Sequence, residues 1–212
     1  VSIRVFLLDD HEVVRHGIRH LLEADGEFEI VGEASRARDA LEVVAATQPN
    51  VAIVDVRLPD GSGVEICREI RSAYPKVACL ILTSYQDDEA LAQAVLAGAS
   101  AYLLKQIQSA DLVGAIRKAA TGHRLIDRAT AESALSRLES LAAARSALEQ
   151  LTPREHAILK GIAEGKTNRE IAANLHLAEK TVKNQVSVVL AKLGLTRRSQ
   201  AAAFATRMET HA

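Results

Sequence analysis

The sequence predicts a doubly wound α/β domain built on five parallel strands, followed by an all-α tail. Three observations carry this. Over the first 125 or so residues, short runs rich in Val, Ile and Leu alternate with amphipathic stretches, the pattern of strand, helix, strand that a parallel sheet requires. The strand signal stops after Gly122. Beyond it, two capping boxes and two well-placed glycines punctuate a wholly helical segment.

The apolar runs place strands at 3–8, 28–31, 51–56, 79–83 and 101–104. Between them lie helical periodicities such as Val13, Val14, Ile18, Leu21 and Leu22, and later Ala90, Leu91, Ala94 and Val95. Parallel strands need right-handed crossovers and helices on both faces, which defines the doubly wound arrangement. The stretch 129–150 is rich in Ala and Leu, with Leu135, Leu138, Leu141 and Leu148 on one stripe. It reads as a linker helix. In the tail, Thr152-Pro153-Arg154-Glu155 has the form of a capping box with Pro at the first helical position, and Thr167-Asn168-Arg169-Glu170 repeats the box. Gly165 ends the first of these helices, Gly194 ends a third over 179–193, and a fourth covers 199–208.

Composition sets the class. The chain has 212 residues, 48% hydrophobic and 25% charged, which suits one large domain or two ordinary ones. No apolar segment approaches the ~20 residues that span a bilayer, and the N-terminus has neither a basic start nor a small-residue cleavage site, so a cytoplasmic protein without membrane partners is expected. Cys67 and Cys79 are then reduced core residues. A net charge of −1 conceals an asymmetry: from Ser146 onward ten Lys/Arg face six Asp/Glu, a balance of +4, against −5 for the remainder. A basic tail on an acidic body points to a polyanion as its partner.

In an open parallel sheet, ligands bind beyond the carboxyl ends of the strands. Here strand one ends at Asp9 and Asp10, strand three at Asp55, strand four at Thr83 and strand five at Lys105. Taken singly, each has an ordinary explanation, since Asp caps helices and Lys ends strands in solvent. Together they converge on one crevice. Three carboxylates call for a hard divalent cation, and Mg²⁺ suits a seat of few carboxylates shared with a phosphoryl oxygen. Lys105 supplies a fixed positive charge and Thr83 a hydroxyl donor. Asp55, alone at a central strand end, is then free to act as a nucleophile, with Asp9 and Asp10 as the metal pair.

These residues carry a resemblance. Asp9-Asp10, Val54-Asp55-Val56-Arg57-Leu58-Pro59-Asp60-Gly61, Leu82-Thr83-Ser84 and Tyr102-Leu103-Leu104-Lys105 resemble the flavodoxin-like receiver domain of bacterial two-component response regulators, over 1–125. The resemblance implies that Asp55 accepts a phosphoryl group from a sensor histidine kinase, that Asp9, Asp10 and Asp55 hold Mg²⁺, and that Thr83 and Tyr102 shift when Asp55 is phosphorylated. Gln106-Ile107-Gln108 departs from the family pattern after the lysine.

The tail reads as a helix-turn-helix, with a short connection around His176-Leu177-Ala178. On its third helix Val182, Val186, Val189, Leu190 and Leu193 form the buried face, and Lys180, Lys183, Asn184 and Ser187 the other. Cations and an amide near a helix N-terminus are suited to a DNA major groove, Lys to guanine or phosphate and Asn to adenine. A solvated Lys-rich face fits the pattern equally well. Arg197 and Arg198 add candidate phosphate contacts. Leu151-Thr152-Pro153-Arg154-Glu155, Asn168-Arg169-Glu170-Ile171-Ala172 and Glu179-Lys180-Thr181-Val182-Lys183-Asn184 resemble the LuxR-type effector of NarL/FixJ response regulators, over 148–212, leaving 126–147 as the linker. Gln185 stands where that family often has an aromatic or histidine.

The resemblance implies a transcription factor that binds double-stranded promoter DNA as a homodimer paired through 199–208, under phosphorylation control. The motifs Asp-Asp-His-Glu-Val-Val-Arg, Val-Arg-Leu-Pro-Asp-Gly and Leu-Ala-Glu-Lys-Thr-Val-Lys-Asn resemble those of dormancy regulators, which implies a low-oxygen response. It implies no enzyme beyond phosphoryl acceptance and autophosphatase activity at most. A Mg²⁺-dependent phosphatase is the enzymatic rival, and a constitutive DNA-binding regulator whose receiver only dimerises is the other.

Overall fold

A computed structural model of the chain describes residues 2–85 and 87–210. It divides into two compact units, Val1–Leu138 and Glu139–Ala212.

In the first unit the order is β1 (Ile3–Leu8), α1 (Glu12–Asp25), β2 (Phe28–Ala34), α2 (Ala37–Thr47), β3 (Val51–Asp55), β4 (Arg57–Leu58), β5 (Gly61–Ser62), α3 (Gly63–Ala73), β6 (Ala78–Thr83), α4 (Asp88–Leu96), β7 (Ala101–Leu104) and α5 (Ser109–Ala120). The main sheet runs β2-β1-β3-β6-β7, all parallel. Strand order reverses between β1 and β3, the switch point where a crevice opens at the carboxyl edge. Alternation explains the two cores: Val51, Ile53, Leu80 and Leu82 pack with Leu112 and Ile116 of α5, whereas Ala52, Val54, Cys79 and Ile81 pack with Val44 of α2 and Ile70 of α3. Both sheet faces are buried, which is why these strands read as continuous apolar runs. Cys67 and Cys79 are buried and unbridged.

Two features differ from the sequence reading. The second strand runs to Ala34, three residues past the expected end, and carries an irregularity opposite Val5/Phe6. The second feature is the small antiparallel pair of β4 and β5, which no apolar run in the sequence marks. Its turn residue Asp60 accepts hydrogen bonds from the backbone N–H groups of Ala37 and Arg38 at 2.8 and 3.3 Å. These are first-turn donors of α2, whose own N-cap Arg36 makes no side-chain cap, so the cap comes from a distant loop.

Helix α6 (Arg128–Glu149) contains the division between the two units. The expected stripe of Leu135, Leu138, Leu141 and Leu148 is half-buried along it. The second unit continues with α7 (Pro153–Ala163), α8 (Asn168–Leu175), α9 (Glu179–Lys192) and α10 (Arg198–Thr210). Both capping boxes form, Thr152 with Glu155 and Thr167 with Glu170. Gly165 and Gly194 follow their helices at φ +74° and +66°, left-handed turns that favour glycine. Ile158, Ile162, Ile171, Val182, Val186, Val189 and Phe204 form the core of this unit. Among the described residues no helix is long and apolar enough to cross a membrane.

Candidate functional site

The ends of β1, β3, β6 and β7 bring the predicted carboxylates, hydroxyl and ammonium to one edge. Asp9, Asp55 and Thr83 are buried there. Lys105, whose backbone N–H donates to the Thr83 carbonyl at 2.7 Å, reaches back so that its Nζ lies 2.7 Å from Asp9 Oδ2 and 2.7 Å from Asp55 Oδ2. Two carboxylates thus share one cation. Burial pushes the Asp55 carboxyl above the usual carboxylate range, against the opposing pull of Lys105. Burial also pulls the Lys105 ammonium down, but its hydrogen bonds to Asp55 and Asp9 reverse this and hold it above its ordinary value.

Asp10 is more exposed. Its Oδ1 lies 2.8 Å from His11 Nδ1, which is also 3.2 Å from Asp9 Oδ1. Asp9, Asp10, His11 and Asp55 bring one donor atom each to within 4.8 Å of one another. A set dominated by carboxylate oxygens fits a hard divalent cation. Asp10, His11, Asp55, Arg57, Thr83 and Tyr85 line a cavity of about 390 Å³, so Asp55 is reachable from outside.

The close turn after Asp55 depends on Gly63. A Cβ there would stand 1.7 Å from the Asp55 carbonyl oxygen and 2.8 Å from Val54 Cγ1. Without one, the Gly63 N–H donates to the Val56 carbonyl at 2.9 Å, and α3 starts directly beneath the strand end.

Thr83 and Tyr102 both reach the segment leading into α4. The Thr83 hydroxyl donates to the Tyr85 carbonyl at 3.1 Å. The Tyr102 hydroxyl donates to the Asp87 carbonyl at 3.4 Å, and Asp87 is the α4 N-cap, accepting from Glu89 and Ala90. Burial, then the Asp87 charge, pushes the Tyr102 phenol above its ordinary value.

In the second unit, Lys180, Lys183, Asn184 and Ser187 all lie exposed on α9, opposite buried Val182, Val186 and Val189. The Ser187 hydroxyl donates to the Lys183 carbonyl at 3.3 Å. Val188, 41% exposed, extends the same face one turn beyond Asn184, and the sequence reading missed it. The C-terminal end of α9 is pinned: Lys192 Nζ lies 2.7 Å from Glu155 Oε2 and 3.3 Å from the Gln150 carbonyl. The arginine pair separates. Arg197 is exposed. Arg198 is half-buried, donating to Asn168 Oδ1 at 2.9 Å and to the Lys166 carbonyl, so its donors tie α10 to the start of α8. The segment 199–208 lies within α10, whose Ala201, Phe204 and Ala205 are buried in the unit's own core.

Residues 5–117 match the response regulator receiver domain family, and residues 149–205 match the luxR family of bacterial regulatory proteins. The chain therefore belongs to the response regulators that join a receiver domain to a LuxR-type DNA-binding domain. Among these it is 48% identical to the DNA-binding transcriptional activator DevR/DosR of Mycobacterium tuberculosis over 207 residues, covering 98% of this chain and 95% of that one. It is similar to the crystal structure of ChrA, a response regulator of a heme-sensing two-component system, at 31% identity and a TM-score of 0.58, covering 98% of each chain. It also resembles RcsB of Salmonella enterica serovar Typhimurium bound to promoter rprA in the presence of the phosphomimetic BeF3⁻. That match has 26% identity and a TM-score of 0.54, over 96% of this chain and 98% of that one.

Proposed function

We propose that this response regulator is switched by phosphorylation of Asp55 and reads promoter DNA with α9. The observation that carries the reading is the Lys105 ammonium bridging Asp9 and Asp55 at 2.7 Å beside an open cavity. In the transfer, an Asp55 carboxylate oxygen attacks phosphorus and the bond from phosphorus to the kinase histidine nitrogen breaks. Asp55 gains an acyl phosphate, and the histidine leaves neutral after taking up a proton. Asp9, Asp10 and Asp55 are the residues that would hold Mg²⁺, which supplies positive charge against the phosphoryl oxygens. Lys105 moves its charge from the carboxylates to the phosphoryl group, and the Thr83 hydroxyl exchanges the Tyr85 carbonyl for a phosphoryl oxygen. Tyr102, tied to the Asp87 carbonyl, follows that segment and biases α4.

The receiver then occupies 1–125, the helical linker 126–147 and the effector 148–212. Lys180, Lys183, Asn184 and Ser187 face the major groove, Val188 offers a methyl to thymine, and Arg197 meets phosphate. A role for Arg198 is chiefly internal, through its bonds to α8. Two effectors paired through α10 suit two half-sites about one helical turn apart. Promoter binding by RcsB and the activator description of DevR/DosR support this assignment, in a chain whose own chemistry stops at accepting and shedding the phosphoryl group. The setting is the cytoplasm, where its sensor kinase presents phosphohistidine.

The test compares wild type with Asp55→Asn. Acetyl phosphate and Mg²⁺ should add one phosphoryl group to the wild type alone, read by intact mass, and raise its promoter affinity. Wild-type promoter output from an Asp55→Ala strain would instead support the constitutive regulator.

A further inference from the structure

The imidazole of His11 stands among the carboxylates yet has no part in the reading above. In an octahedral shell with bonds of about 2.1 Å, neighbouring donor atoms sit about 3 Å apart. The separations of His11 Nδ1, 2.8 Å to Asp10 Oδ1 and 3.2 Å to Asp9 Oδ1, are edges of that size. Backbone geometry holds the ring there: the His11 N–H donates to Asp9 Oδ1 at 2.9 Å. His11 is also the N-cap of α1, yet its side chain makes no capping bond, so helix capping does not account for the ring's position. Nδ1–H donates to these carboxylates at 2.8 and 3.2 Å, and because the side chain is 63% exposed, a cation taking the place of that proton would leave the ring proton on Nε2, toward water.

Oxygen-only donor sets suit Mg²⁺, whereas imidazole favours first-row transition cations. We propose that His11 Nδ1 is a fourth protein donor of the cation seat and sets its metal preference, raising affinity for divalent cations of the Co²⁺ class while leaving Mg²⁺ binding almost unchanged. The inference rests on the reading of Asp9, Asp10 and Asp55 as a cation seat. It adds a nitrogen ligand where that reading has only carboxylates.

Calorimetric titration of the full chain with Co²⁺ and separately with Mg²⁺, together with the visible absorption of bound Co²⁺, tests it. His11→Ala should weaken Co²⁺ binding by about tenfold or more and shift its spectrum, with Mg²⁺ affinity held within about twofold. His11→Gln keeps a polar side chain at the helix start and should behave in the same way, guarding against simple loss of fold. The sequence has seven histidines, so the Asp10→Asn background matters: there the further effect of His11→Ala on Co²⁺ should shrink, whereas a remote histidine site would be indifferent to Asp10. Unchanged Co²⁺ affinity and spectrum overturn the proposal. So does an equal loss for both cations, which would make His11 a positioning residue for the carboxylates. Mg²⁺ affinity that survives Asp10→Asn intact overturns the cation seat itself, a separate failure.

Discussion

The ammonium of Lys105 lies 2.7 Å from Asp55 Oδ2, with 13% of the lysine side chain and 6% of the aspartate side chain exposed. The same nitrogen serves Asp9. Removing it leaves two buried carboxylates facing each other without a counter-charge, and breaking such a buried pair costs about 3 kcal/mol. Lys105→Ala should lower the unfolding free energy of the first unit by about that amount at neutral pH without metal, measured by urea denaturation. Asp55→Asn should cost less, because it removes one of the repelling charges that burial already disfavours. Equal losses for the two variants would argue that the carboxylates are well solvated.

Gly63→Ala tests the backbone beneath Asp55. The added methyl would meet the Asp55 carbonyl oxygen at 1.7 Å, so the start of α3 must move away from β3. Overpacking of this kind costs about 1–3 kcal/mol. Because the clash falls on the Asp55 backbone itself, phosphorylation by acetyl phosphate should fall as well. Gly114→Ala, inside α5 where nothing lies within 4 Å of the new Cβ, should instead raise stability by about 0.5–1 kcal/mol and leave phosphorylation within error.

What was legible follows from the range of the forces involved. Apolar runs marked all five strands of the sheet, most plainly β3 and β6, which are buried on both faces, and capping boxes marked α7 and α8, because both signals are local in the chain. The β4 and β5 pair escaped because two-residue strands are too short to show a period. The capping of α2 by Asp60 leaves no local signal, since its partners Ala37 and Arg38 lie more than twenty positions away. Asp9, Asp10, Asp55, Thr83 and Lys105 could be placed on one edge because strand ends converge there in any parallel sheet. The Nδ1 position of His11 depends on one side-chain rotamer, which no spacing encodes. Arg197 and Arg198 look alike as neighbours in sequence. Their different surroundings at the start of α10 separate them, leaving one in solvent and tying the other to Asn168.

Glu155 makes the effector's stability depend on pH. Its hydrogen bond from Lys192, then those from Thr152, hold its carboxyl down at about 2, against an ordinary value of 4.5. The folded unit therefore binds a proton less readily than the unfolded chain, and its stability from this group is complete above about 4.5 and lost as pH falls toward about 2. Thr167→Ser, which keeps the hydroxyl of the other capping box, should leave the acid unfolding midpoint of the second unit at its wild-type value. In Glu155→Gln the slope over that window should flatten, leaving the variant less stable at pH 7. An unchanged slope would mean that other carboxylates control the acid transition.

The two kinds of DNA contact proposed on the second unit differ in what they should do to affinity. Asn184 faces out from α9 near its N-terminal end and is placed to meet a base edge. Asn184→Ala should cost about 1–3 kcal/mol on the preferred promoter and relax selectivity at one base position. Arg197 is exposed beyond α9 and is placed to meet phosphate. Arg197→Ala should weaken binding to all sequences alike and reduce the slope of log affinity against log salt by about 1. Arg198→Ala should act differently again, because its guanidinium is already bonded to Asn168 and Lys166. Its loss should lower the thermal stability of the effector and leave the salt slope of whatever remains folded unchanged. Fluorescence anisotropy across salt concentrations, on one specific and one scrambled duplex, separates the three behaviours. A salt slope that falls equally for Arg197→Ala and Arg198→Ala would put both arginines on the phosphate backbone.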